Sequence, residues 1–156
     1  MRQVGIFGKR KSGKSALMYA LTHYKMTNEH NYRAMEISGV GKIMLVDTVG
    51  VDVEQSTAEK SAESIEVALI LISNDSFELE LAWISKLKRL GAEIIAVICQ
   101  CDRFADGGKN LAAAVTEVSG LKPICTSAET GAGIPELHEE IINKLTIHNA
   151  EALIQP

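Results

Sequence analysis

A chain of 156 residues is long enough for one continuous core and too short for two domains side by side, and 46% apolar against 23% charged residues excludes a disordered, self-repelling chain. The longest apolar runs, Val67–Ile72 and Ile94–Cys99, have six residues each, against the roughly 20 that cross a bilayer, so no membrane partner is expected. The formal net charge of −4 hides an asymmetry: residues 1–42 hold eight Lys/Arg and two Glu, and the cluster Lys9, Arg10, Lys11 and Lys14 is too compact for a nucleic-acid track and suits a small polyanion.

The first residues pass from a few apolar side chains straight into Lys9-Arg10-Lys11, without the apolar core of a signal peptide. Three cysteines, an odd number, fit reduced thiols better than a disulfide framework, so a cytoplasmic location is expected.

In chain order, hydrophobic periodicity predicts a strand at Gln3–Phe7, then a helix over about Gly13–His23 with Ala16, Leu17, Ala20 and Leu21 inward. Two strand-like runs, Ala34–Ile37 and Lys42–Asp47, flank Ser38-Gly39-Val40-Gly41 and read as an antiparallel hairpin. Thereafter strands (Val67–Ser73, Glu93–Cys99, Pro123–Cys125) alternate with helices (about Phe77–Leu90, Lys109–Ser119, Pro135–Ile147), the pattern of a parallel sheet covered by helices. The runs at 67–72 and 94–98 do not alternate, as expected of strands buried on both faces. One domain is expected over 1–147, followed by a tail, 148–156, without strong pattern.

Gly8-Lys9-Arg10-Lys11-Ser12-Gly13-Lys14-Ser15 fits G-x-x-x-x-G-K-[ST] between a predicted strand and a predicted helix. In such a loop the glycines let backbone N–H groups face phosphate oxygens, the lysine reaches the terminal phosphates and the serine hydroxyl serves Mg²⁺. The site expected here comprises Gly8 to Ala16, with Lys14 and Lys11 as the groups acting on the terminal phosphates. Asp47-Thr48-Val49-Gly50 follows 32 residues after Ser15 in the form D-x-x-G. Asp47 is placed to hold the Mg²⁺ shell with Ser15, and Gly50 to meet a γ-phosphate.

With both motifs in place the chain resembles the translation-factor-like (TrmE-Era-EngA type) small GTPases, and within them the G domain of the FeFe-hydrogenase maturation GTPases, the HydF family. The likeness covers about residues 2–147 and is carried by Tyr32-Arg33-Ala34-Met35-Glu36-Ile37 and Leu45-Val46-Asp47-Thr48-Val49-Gly50-Val51-Asp52, with Thr126-Ser127-Ala128 and Thr130-Gly131-Ala132-Gly133-Ile134 later. It implies a three-layer α/β P-loop fold of the Ras-like kind, a six-stranded, mostly parallel sheet with one antiparallel edge strand. It also implies GTP or GDP with Mg²⁺ as ligands, and Ser127, Ala128 and Glu129 in the loop behind the guanine. The protein partner is unknown, or is a second copy meeting the switch face. The small P-loop proteins of ethanolamine and propanediol utilisation, also short in the first switch, are a second resemblance.

Departures from the family pattern bear on mechanism. Cys99-Gln100-Cys101-Asp102 stands where the family has N-K-x-D. Asp102 suits guanine N1–H and N2–H, or caps a loop; Cys99 lacks the contacts of Asn, and Gln100 covers a base less well than Lys. Only sixteen residues separate Ser15 from Tyr32, and Thr27 is the one threonine near enough to serve Mg²⁺ from the first switch, if it is not an ordinary loop residue. Val51 follows Gly50 in place of a water-orienting glutamine, so hydrolysis should be slow. Lys11 takes the place of the Asn of potassium-stimulated members, either supplying a cation of its own or standing solvated. Cys99, Cys101 and Cys125 gather at strand ends, as small buried residues or as a thiol site. A degenerate, non-hydrolysing interaction module is the alternative to a slow GTPase.

Overall fold

The computed structural model describes residues 2–23, 34–37, 40–47 and 64–154. Strand β1 (Arg2–Phe7) leads into helix α1 (Lys14–His23), followed by β2 (Ala34–Ile37), β3 (Gly41–Asp47), β4 (Val67–Ile72), α2 (Glu78–Arg89), β5 (Glu93–Ile98), α3 (Lys109–Ser119), β6 (Ile124–Cys125) and α4 (Ile134–Ile154), with one 3₁₀ turn at Cys101–Arg103. The strands form one sheet in the order β2-β3-β1-β4-β5-β6. β2 pairs with β3 antiparallel, and every other pairing is parallel.

β4 explains the layering. Its six residues, Val-Ala-Leu-Ile-Leu-Ile, are all buried. Successive side chains leave a strand on opposite faces. Val67, Leu69 and Leu71 therefore join Leu17, Met18 and Leu21 of α1 and Ile134, Leu137, Ile141 and Leu145 of α4. Ala68 and Ile70 face Trp83, Ile84 and Leu87 of α2, and Ile72 faces Leu111 and Val115 of α3. Helices on both faces of a parallel sheet leave the carboxyl ends of β1, β4 and β5 open at one edge, where ligands of such folds sit.

The predicted elements hold, with shifts at their ends. α2 begins at Glu78, with Phe77 at its N-cap making no side-chain capping bond. α4 continues beyond the predicted stop at Ile147 to Ile154 and so takes in most of the expected tail. The reason is local: Ala150, Glu151, Ala152 and Leu153 are strong helix formers, and no proline intervenes before Pro156. Arg2 fastens the opposite edge of the sheet, pairing with Glu66 at 3.0 Å and donating to the Leu145 carbonyl of α4 at 2.8 Å. Among the described residues no helix is long and apolar enough to cross a membrane.

Candidate functional site

The phosphate loop starts where β1 ends. A Cβ on Gly8 would lie 2.6 Å from Ser12 Oγ and 3.1 Å from Leu71 Cβ, so only glycine lets the chain turn out of the sheet there. Gly13 turns the chain into α1 with φ +96°, a left-handed conformation that favours glycine. Lys11 shares that region at φ 63° without being glycine, a local strain of about 1 kcal/mol or more. Leu17 N–H donates to the Gly13 carbonyl at 2.9 Å and opens the helical ladder, leaving the first N–H groups of α1 facing the loop mouth.

Lys14 bends back over this loop. Its ammonium donates to the Gly8 carbonyl at 3.1 Å and the Lys9 carbonyl at 2.9 Å, so the charge stands above the cradle. Ser15 and Ala16 are exposed on the first turn of α1, and Arg10 and Lys11 are exposed at the loop crest. Two expected ligands turn elsewhere. Ser12 is 1% exposed, its N–H donates to the Lys9 carbonyl at 3.1 Å, and its hydroxyl lies beneath the loop with no partner among the described residues. Lys9 sends its ammonium away from the cradle, to the Ser76 carbonyl and to Glu80. Neither side chain is turned toward the cradle.

The segment after β5 meets the loop from the other side. Cys99, 4% exposed, donates its thiol to the Ser12 carbonyl at 2.9 Å. Burial pushes this thiol up to about 12, so it remains a protonated donor at neutral pH. Cys99 is therefore tied directly to the phosphate loop by its thiol. Gln100 adopts φ 56° and lies over Gly13, its Nε2 3.4 Å from where a Gly13 Cβ would be. Asp102 is exposed on the 3₁₀ turn that follows. Arg103 of the same turn donates to Gln100 Oε1 at 3.3 Å, a contact that spacing alone gave no means of finding.

The third wall comes from the turn after β6. Cys101 N–H donates to the Thr126 carbonyl at 2.9 Å, and Thr126 N–H to the Ile98 carbonyl at 2.8 Å, which locks the two loops together. Ser127 is buried, donating its N–H to the Ala132 carbonyl at 2.8 Å and accepting from Thr130 N–H at 3.1 Å. Gly13, Ala16, Leu17, Cys99, Gln100, Thr126 and Ala128 line a small cleft at the meeting point, with Glu129 exposed beside it. Three segments separated by nearly the whole sequence thus converge on one cleft.

The metal-side residues are placed unequally. Asp47 ends β3 in register with Ile6 of β1, two residues before Gly8. Thr27, Gly50 and Val51 lie outside the described residues. Burial also raises the Cys101 and Cys125 thiols, which disfavours thiolate chemistry. Among the described residues no three His, Cys, Asp or Glu side chains cluster as metal ligands.

Comparison with known proteins fits this geometry. The family of 50S ribosome-binding GTPases matches residues 3–100, the stretch that contains the phosphate loop, Asp47-Thr48-Val49-Gly50 and Cys99-Gln100. The chain belongs to this GTPase family. The domain is thus a GTP-binding P-loop domain. Among solved structures it is similar to Era in complex with MgGDPNP and nucleotides 1506–1542 of 16S ribosomal RNA, at TM-score 0.73 and 23% identity, over 92% of this chain and 56% of that one. It is also similar to the cytosolic domain of the T. maritima FeoB iron transporter in GMPPNP form, at TM-score 0.67 and 20% identity, over 93% of this chain and 64% of that one. The FeoB G-domain from Methanococcus jannaschii matches at TM-score 0.66 and 20% identity, over 94% of this chain and 99% of that one. The chain therefore spans under two thirds of the first two of these chains. No curated protein sequence matches it.

Proposed function

We propose that this domain binds guanine nucleotide with Mg²⁺, hydrolyses GTP slowly and uses the two nucleotide states as a switch. The observation that carries the reading is the joining of three segments: the Lys14 ammonium stands above the cradle, Cys99 is tied to the Ser12 carbonyl, and Thr126 is tied to Cys101. The residues fit a nucleoside diphosphate or triphosphate, since the loop turns on Gly8 and Gly13 where a side chain would intrude or strain the chain. Phosphates would meet Lys14, the loop N–H groups and the start of α1. Mg²⁺ would be held by the Ser15 hydroxyl with Asp47, joined by Thr27, and would supply charge neutralisation at the phosphates.

The base side supports guanine with reduced selectivity. Asp102 would accept from the guanine edge, while Gln100 lies over Gly13 in place of a long lysine stem. Cys99→Asn combined with Gln100→Lys is expected to raise GTP affinity by about 1–3 kcal/mol and leave ATP affinity unchanged, measured by calorimetric titration. An equal gain for both nucleotides would mean that the base is not read at this corner.

Lys11 is proposed as the built-in cation beside the β- and γ-phosphates. Lys11→Asn should lower basal hydrolysis in Na⁺ buffer on the order of tenfold and make it responsive to K⁺. The same change should leave thermal stability equal or higher, because Asn tolerates the left-handed backbone of this position better than Lys. Hydrolysis that already rises with K⁺ in the unmodified protein would rule out this role for Lys11.

The client is proposed from resemblance alone: a metallocofactor maturation step of the hydrogenase type, in the cytoplasm, with a protein or a second copy at the switch face. The compact basic cluster does not favour nucleic acid, since Lys9 is already engaged by Glu80. A microcompartment role would rest on the short segment between Ser15 and Tyr32.

A further inference from the structure

Helix α2 carries a carboxylate where its core-facing stripe calls for an apolar residue. Phe77, Ile84 and Leu87 are buried, and Glu80, between Phe77 and Ile84 at helical spacing, is 1% exposed. Sheet-facing helix positions are filled by apolar residues because a buried carboxylate loses its hydration, a cost that packing alone does not offset. Glu80 gains one charged partner for that cost. Its Oε2 lies 3.5 Å from Lys9 Nζ, and Oε1 has no hydrogen-bond partner among the described residues. Burial raises the Glu80 carboxyl above its ordinary range; its own backbone N–H and then the nearby Lys9 pull it part of the way back, against the charge of Glu78.

Lys9 completes the tie. It is the second residue of the phosphate loop, its ammonium also donates to the Ser76 carbonyl just before α2, and its own carbonyl accepts both Lys14 Nζ and Ser12 N–H. The residue that receives the Lys14 charge and closes the loop turn is thus the residue that Glu80 holds from behind. Resting on the reading of this loop as a nucleotide site, we infer that Glu80 is a positioning residue: by pairing with Lys9 it fixes the phosphate loop against α2 and keeps the Lys9 ammonium off the phosphates. Glu80 touches no ligand and acts only through Lys9. Its contribution is preorganisation, a cradle already formed when the phosphates arrive.

A mutant cycle on GDP affinity, read by calorimetry with thermal melting alongside, tests this. Glu80→Gln keeps the side-chain volume and removes the charge, and Lys9→Met removes the partner; because Lys9→Met alone leaves a buried carboxylate unpaired, the melt shows whether it is folded, and the Lys9→Met/Glu80→Gln double variant, which buries no charge, secures the comparison. Each single change is expected to weaken GDP binding on the order of fivefold to tenfold, and Glu80→Gln is expected to have no further effect in the Lys9→Met background. Lys9→Arg should recover at least half of what Lys9→Met loses. A gain in affinity for Glu80→Gln would overturn the inference, because it would show a freed Lys9 binding phosphate directly. Equal losses in both backgrounds would overturn it as well, leaving Glu80 a packing residue. Unmodified protein that does not bind GDP would overturn this inference together with the nucleotide reading, whereas GDP binding that ignores Glu80 would overturn this inference alone.

Discussion

Lys14→Ala is expected to abolish detectable GTP binding while the protein remains folded. In the structure the Lys14 ammonium is spent on two loop carbonyls, those of Gly8 and Lys9, and none of its atoms belongs to the core that Leu17, Met18 and Leu21 build from the same helix. Hydrogen bonds to backbone at a partly exposed site contribute about 1 kcal/mol each to stability, and the carbonyls left behind can turn to water. Toward phosphate the balance differs. A charge-assisted contact is worth about 1.5–3 kcal/mol, and a lysine reaching two phosphates would supply two of them. Loss of both is on the order of a hundredfold to a thousandfold or more in affinity. Calorimetry and a thermal melt on one preparation check both halves; retained GTP affinity would remove the phosphate-site reading.

Among the glycines of the described residues, Gly133→Ala should produce the largest loss of stability. Gly133 sits at φ +74°, and a Cβ there would stand 2.0 Å from the Cys125 carbonyl oxygen and 3.0 Å from its carbon. Both neighbours are backbone, so neither can swing aside as a side-chain tip would. The turn into α4 must move away from β6, or β6 from the sheet. Either movement disturbs Thr126, which bridges to Ile98 and Cys101, and Ser127, which is held by Ala132. We expect a destabilisation of about 3 kcal/mol or more, a fall in melting temperature of about 6–12 °C, with a loss of GTP affinity in the protein that remains folded. An unchanged melting temperature would show that this turn does not press on β6.

Much of this arrangement was legible in the sequence because it is carried by local rules. Unbroken apolar runs at 67–72 and 94–98 announced strands covered on both faces, and the eight residues from Gly8 to Ser15 announced the phosphate loop. What escaped depends on contacts between distant segments. Cys99 read as a lost Asn, yet its thiol finds the Ser12 carbonyl 87 residues away. Glu80 lies in a helix with acidic residues in its first turn, and its place among Phe77, Ile84 and Leu87 at helical spacing is the one signal of its burial that the sequence carries. The side-chain directions of Lys9 and Ser12 were beyond reach, since a motif fixes the backbone of a phosphate loop and leaves its variable positions open. The end of α4 was misjudged because residues after Ile147 have helix propensity without an amphipathic stripe.

The most direct test of the account is a calorimetric titration of the unmodified protein with GTP, GDP, ATP and a non-hydrolysable GTP analogue, each with and without Mg²⁺. The account predicts that guanine nucleotides bind, that ATP binds more weakly, and that Mg²⁺ strengthens the triphosphate forms more than GDP, as a site built from Ser15, Asp47 and the γ-phosphate requires. Equal affinity for all four nucleotides irrespective of Mg²⁺, or no binding at all, would contradict it.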